Sequence, residues 1–378
     1  MGIRCRLLYS TGKVVNLSTN RFTGDFPPGL ETLINLESII MESTFSMQMS
    51  RALPVGLLSL PLIAEVDLTN NNIYGSIGDA IFSPTLQLVN LNHNLLNGTL
   101  PSSLGSLSQL VTLDLRINQF EGTIPTAYGQ LSALTDLLLD VNTLSGAIPT
   151  ELGLLTRLVK LSIARNRFEG EIPSELGKLT TVTVIALNNN LLTGAVPREL
   201  GRMTSLTTFS VFSNSLSGSL PSELLQLTAL EDIYINDNMF EGALPSSFSS
   251  WPRLLFFNAE NNRLEGPLPQ EFPTAQFEKL LLSNNSFSGS LPPQLFSSPT
   301  LVRLELDSNV LNGTLPSLPD TTVSVLSWFK VRFSGTLSRW NQLTHTVILS
   351  TIHSNLILLW CCSKIRSPFY CFYISYIS

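Results

Sequence analysis

Residues 110–131 read LVTLDLRINQFEGTIPTAYGQL, and this stretch decides the fold. Leu110, Leu113 and Leu115 alternate with polar neighbours, as in a strand that buries one face. Asn118 follows where the chain must turn, Gly122 follows Asn118 by four residues, and Ile124-Pro125 then leads to Gly129 and Leu131. Working outward, the same pattern returns at Asn94, Asn118, Asn142, Asn166, Asn190, Asn214, Asn238, Asn262, Asn285 and Asn309, always 23 or 24 residues apart. Asn20 and Asn71 extend the series toward the amino terminus.

Self-similarity at a fixed period marks a solenoid, in which each unit buries its apolar face against the next. The expected fold is an α/β solenoid of the leucine-rich-repeat kind. It has one parallel β-strand per ~24-residue coil on the concave face and short 3-10 or helical turns on the convex side. Each repeated residue has a physical task. The asparagine amide both donates and accepts, so it can satisfy backbone groups inside the bend. The glycine four residues later allows backbone angles that other residues resist. Proline in the Ile-Pro pair supplies a fixed φ and needs no N–H partner at the start of a helical turn.

Composition agrees with a long stacked core. Of 378 residues, 43% are apolar and 13% charged, and the formal net charge of −6 argues against a nucleic-acid partner, which requires clustered Lys and Arg. Cys5, Cys361, Cys362 and Cys371 lie outside the repeats and form no C-x-x-C pair, while His93, His345 and His353 do not cluster. No metal site and no cofactor are expected.

The domain reading is residues 1–11 as the remnant of an amino-terminal cap, 12–335 as the repeat array and 336–378 as an atypical apolar tail. Two parts of the array are worn. Over 36–62, Leu36, Ile39 and Met41 keep the apolar spacing with Thr44 at the asparagine position; over 317–335, Val331 stands where asparagine belongs. In the tail, the apolar run Val347–Cys362 is 16 residues long and precedes Lys364 and Arg366. A bilayer span needs ~20 apolar residues. The tail is therefore read as an aberrant, improvised end that could also cover the last coil's open edge, with membrane association, which segments outside this chain could also supply, as the alternative.

The hallmark N-x-L-x-G-x-I-P-x-x-L-G at Asn142–Gly153 and Asn166–Gly177 closely resembles the plant-type leucine-rich-repeat family. The resemblance covers roughly residues 12–316 and implies a curved right-handed leucine-rich-repeat superhelix. It implies the ectodomain of a receptor-like kinase or receptor-like protein, or a secreted inhibitor of a cell-wall-degrading enzyme, with ligand binding on the inner face or flank. It also places the chain at the cell surface or outside the cell. Gly2-Ile3-Arg4-Cys5 is similar to the end of that family's amino-terminal cap, whose Trp and partner cysteine are missing here, and the start of the chain has no secretory signal. No phosphate-binding Gly-rich loop, H-R-D or D-F-G motif follows the repeats, so kinase activity is not carried over.

The candidate site comes from the columns of outward residues that precede each asparagine. Phe212 lies two positions before its asparagine, Tyr234 four and Phe256 six, so successive coils set an aromatic one step further along. Aromatic anchors dominate interface hot spots, and Asp232, Asp237, Glu260, Glu305 and Asp307 flank this row. Earlier coils carry Asp114, Asp136 and Asp140, followed by Lys160, Arg165 and Arg167, so the inner face is expected to be polarised. A paired-carboxylate enzyme is not expected, because an open sheet offers no means of raising one carboxyl's pKa. The reading is a non-enzymatic recognition module for a peptide, protein or glycan, with an intracellular interaction scaffold as the alternative of another class. Four N-x-[ST] sequons, at Asn16, Asn97, Asn284 and Asn312, are candidate N-glycosylation sites in a secretory setting. The oligomeric state is not specified by the sequence.

Overall fold

The structure, a computed structural model, describes residues 13–20, 25–26, 29–44, 51–79, 81–272, 277–297, 299–313, 325–327 and 347–348. The expected cap remnant at 1–11 and most of the tail lie outside the described residues. The chain divides into two compact units, Met1–Leu192 and Thr193–Ser378.

In the first unit, three-residue strands form a parallel ladder: Val14–Asn16, Ser38–Ile40, Glu65–Asp67, Leu88–Asn90, Thr112–Asp114, Asp136–Leu138, Lys160–Ser162 and Val184–Ala186. The register advances by one repeat at each step, as in Leu113 opposite Leu137 opposite Leu161. In the second unit the equivalent strands are Thr208–Ser210, Asp232–Tyr234, Phe256–Asn258, Lys279–Leu281, Arg303–Glu305, Val325–Ser327 and Val347–Ile348. The last of these comes from the stretch read as a tail.

A second parallel ladder, not anticipated from the sequence, follows the asparagines. It includes Gln119–Gly122, Thr143–Ala147 and Arg167–Glu171 in the first unit, and Ser215–Gly218, Met239–Gly242 and Arg263–Pro267 in the second. Among the described residues, the coils from Ser38 to Leu311 therefore contribute two strands rather than one. The N-x-L-x-G segment is short and ends on glycine, so its alternation is too brief to read as a strand. The coil closes through a 3-10 turn such as Thr126–Gln130 or Ser222–Gln226, each entered from a proline.

The apolar residues of the opening stretch are all inside: Leu110, Leu113, Leu115, Phe120, Ile124 and Leu131 are at most 2% exposed. Asn118 shows how a coil is tied to the one before it. Its Nδ2 donates to the Leu115 and Arg116 carbonyls of its own bend and to Leu91 O of the preceding coil at 3.0 Å, while its Oδ1 accepts from Leu96 N at 3.0 Å. Asn94, Asn142, Asn166, Asn190, Asn238, Asn262, Asn285 and Asn309 repeat the donor pattern, and Asn214 donates to Val211 O and Phe212 O. At the worn coil, Thr44 is fully buried and sits at the asparagine position. Its hydroxyl donates to Leu17 O and its N–H donates to Asn71 Oδ1. A shorter side chain thus reaches the same preceding carbonyl. The glycine of the Leu-Gly pair has its own cause: a Cβ on Gly153 would lie 2.4 Å from Glu175 O in the next turn. Glycine there lets successive 3-10 turns pack backbone to backbone.

Candidate functional site

The middle residue of each first-ladder strand points inward, so the residues on either side of it form the outward face. In the second unit, Asp232 stands opposite Phe256, which stands opposite Lys279 and then Arg303; Tyr234 stands opposite Asn258, Leu281 and Glu305. Phe212, Tyr234 and Phe256 come together on this face. The Phe212 and Tyr234 ring centroids are 6.4 Å apart, those of Tyr234 and Phe256 are 4.8 Å apart, and both pairs are tilted by nearly 60°. These are favourable aromatic geometries. The rings are half-buried rather than fully solvent-facing, because each leans on the next.

The row has a rigid base. Directly behind Phe256, Phe257 packs against Phe248 at 4.8 Å and Trp251 at 6.3 Å, and Trp251 Nε1 donates to Leu224 O at 2.9 Å. One strand therefore carries an aromatic residue on each side. Above Phe256, Lys279 Nζ lies 5.5 Å from the ring centroid, a cation-π distance. Lys279 and Arg303 were not singled out from the sequence. They sit six residues before Asn285 and Asn309, the column that also holds Asp232 and Phe256, so reading that column to its end would have found them.

The acidic residues fall into distinct settings. Burial holds Asp232 above the usual carboxylate range, with Glu231 adding to the effect and Lys279 opposing it. Burial also raises Tyr234, and the Asp232 charge adds to that. Asp237 lies at the edge, where Asn236 and Asn261 donate to it. Arg303 binds Glu305 Oε1 through Nη2 at 2.6 Å and Nε at 2.7 Å. Glu260 is half-buried, and its pKa is pushed up to about 7 by burial and then by the charge of Glu305, two coils on. The expectation that no carboxyl can be raised on an open sheet therefore fails at Glu260. Side chains rising from neighbouring coils shield it enough to make ionisation costly.

The first unit presents a different face. The Asp114 carboxylate takes a two-point contact from Arg116, at 2.6 and 2.9 Å. Asp136 faces Lys160 at 3.7 Å, and Asp140 accepts from Ser162 Oγ and Ala164 N. The expected block of one sign followed by the other is thus largely paired within itself. Arg167 does not belong to this face, because it opens a strand of the second ladder. Arg165 lies at the edge with a positive φ of 53°.

All four sequon asparagines are exposed. Asn97 stands in the second-ladder strand Leu95–Thr99 and Asn312 follows Val310–Leu311. Asn284 donates to Asn261 Oδ1, and Asn16 accepts from Ser18 N on the first-ladder face. Among the described residues, no helix is long and apolar enough to cross a membrane.

Comparison with known proteins agrees with this architecture. The family model described as Leucine Rich Repeat matches residues 85–107, 157–179 and 276–298. Receptor-like protein 34 of Arabidopsis thaliana is 34% identical over 95 residues, which is 25% of this chain and 10% of that protein. Among solved structures, the plant peptide hormone receptor RGFR1 in complex with RGF2 aligns with a TM-score of 0.77 at 28% identity, covering 84% of this chain and 51% of that one. A TDR receptor aligns with a TM-score of 0.77 at 27% identity, covering 89% and 63%. The Arabidopsis receptor kinase HAESA in complex with the peptide hormone IDA and the co-receptor SERK1 gives 0.65 at 28% identity, covering 90% and 70%. The chain thus spans a tenth of the length of the curated relative and about half of the first of these structures. In its repeat, its stacked parallel ladders and these likenesses, the chain is similar to the plant-type leucine-rich-repeat proteins.

Proposed function

We propose that this chain is a recognition module of a receptor-like protein at the cell surface, with a role in signalling, and that it docks a peptide or a peptide-like segment of a protein along the first-ladder face of Thr193–Ser378. The observation that carries this reading is the contiguous row Phe212, Tyr234 and Phe256, in which three half-buried rings from successive coils touch one another. Rings held in this way lose little conformational freedom on binding, which suits them as anchors. The two receptors crystallised with peptide hormones support a peptide over a glycan as the occupant.

The test is selection of a random 12-residue peptide library on the intact chain. A Phe212→Ala, Tyr234→Ala, Phe256→Ala triple variant should bind the selected peptides at least about a hundredfold more weakly, since each hot-spot ring contributes ~2 kcal/mol or more. Its circular dichroism should match the parent. Undiminished affinity in the triple variant would place the docking site elsewhere. For the cell-surface assignment, expression through the secretory pathway should give a mobility shift on N-glycosidase treatment, and Asn97→Gln should reduce that shift.

A further inference from the structure

Resting on that reading, we propose that Lys279 is a built-in cover for the Phe256 ring, an intramolecular competitor that a docked side chain must displace. Asp232, Phe256, Lys279 and Arg303 stand opposite one another in successive coils, in the column where the aromatic row ends. Lys279 therefore has a ring on one side and a second cation on the other. Like charges opposite each other on a sheet face repel, which turns the lysine toward Phe256. Arg303 stays in place, because its Nη2 and Nε both bind Glu305 Oε1, at 2.6 and 2.7 Å. The lysine ammonium rests 5.5 Å from the Phe256 centroid and makes no ion pair among the described residues. Its side chain is half-buried, with the apolar stem laid on the face.

Phe256 is thus engaged from both neighbouring coils. Tyr234 meets it at 4.8 Å from the coil before, and Lys279 reaches it from the coil after. Phe212, at the other end of the row, carries no cation among the described residues. A ligand side chain gains the covered part of the Phe256 ring only after the ammonium has moved. That movement gives up a cation-π contact and turns the lysine back toward Arg303. In the free chain the cover keeps part of an exposed aromatic row from unspecific apolar contact. It also sets a threshold, because an anchor must make more of the ring than the ammonium it replaces.

The experiment uses the same library selected on the intact chain, and takes the best peptide whose binding depends on Phe256. That peptide should bind Lys279→Ala about two- to fivefold more tightly than the parent, the exposed cation-π contact no longer having to be broken. Lys279→Arg keeps the cover and should bind no more tightly than the parent. The gain should vanish in a Phe256→Ala background, and also when the peptide's own anchor residue is replaced by alanine. These two controls separate an uncovered ring from a general change of charge. Circular dichroism of Lys279→Ala should match the parent. Ring-dependent peptides that bind Lys279→Ala no better than the parent would overturn the cover and leave the docking reading standing. A gain that persists without the Phe256 ring would do the same. Failure to select any peptide, or peptides indifferent to the three rings, would overturn both.

Discussion

The residue before each bend asparagine carries a demand that the repeat pattern does not display. It adopts a positive φ throughout, between 47° and 58° at Ser43, Asn70, His93, Arg165, Asn189, Ser213, Asp237, Asn261 and Asn284. Polar residues tolerate this region, whereas β-branched ones strain in it. Ile117 and Val141 nonetheless occupy it, with φ of 53° and 57°, and they are 42% and 37% exposed. Since their burial contributes little, Ile117→Asn and Val141→Asn should each raise stability by about 1 kcal/mol in urea titration, through relief of backbone strain. A loss of stability in both would mean that their contacts outweigh the strain. The opposite error of fit occurs at Tyr128, which stands where other coils have leucine. Its hydroxyl is fully buried without a hydrogen-bond partner among the described residues, and burial drives its ionisation far upward. Asparagine and glycine announce themselves by recurrence, but a strained or orphaned group at a variable position leaves no mark in the pattern.

A coil is the element on which this fold is built, and its asparagine is its main tie to the coil before it. Asn238 donates to Val211 O in the preceding coil and to Ile235 O and Asn236 O in its own bend, and it accepts from Leu216 N. Asn238→Ala leaves these groups without partners, at ~1–3 kcal/mol for each one that stays buried. The expected result is a loss of at least about 3 kcal/mol. Because repeat arrays respond through nearest neighbours, the damage should be local. Hydrogen exchange should accelerate at the Leu216 amide, while the Leu264 amide, held by Asn285, keeps its protection. Uniform loss of protection at both would show that the unit opens as a whole. The inward leucines, the asparagine ties and the proline-entered turns were legible in the sequence because each coil needs them at the same offset. The second ladder was not, since its strands are brief and their pairing depends on the neighbouring coil. The aromatic row was legible as a diagonal of offsets. The raised Glu260 carboxyl was not, because its burial and the influence of Glu305 two coils on depend on how the intervening side chains stand.

Carboxyls with raised pKa values give the whole chain a characteristic response to pH. Burial lifts Glu260 to about 7 and also raises Asp232 and Asp140, the last against the hydrogen bonds from Ser162 and Ala164. For an acid, a folded pKa above the unfolded one means that the folded state binds more protons between the two values. Ionisation then works against folding above the folded pKa. As pH falls from about 7 toward the ordinary glutamate value of about 4.3, that penalty is relieved and these groups favour the native state. The midpoint of thermal unfolding should therefore rise as pH falls from 8 to 5.5. Glu260→Gln removes the largest rising contribution without adding charge, so its midpoint should lie above the parent's at pH 8, and the gap should narrow steadily as pH falls from about 7 toward about 4.3. Scanning calorimetry of the two chains across that range decides the matter. Parallel curves would show that Glu260 titrates as an ordinary exposed carboxyl.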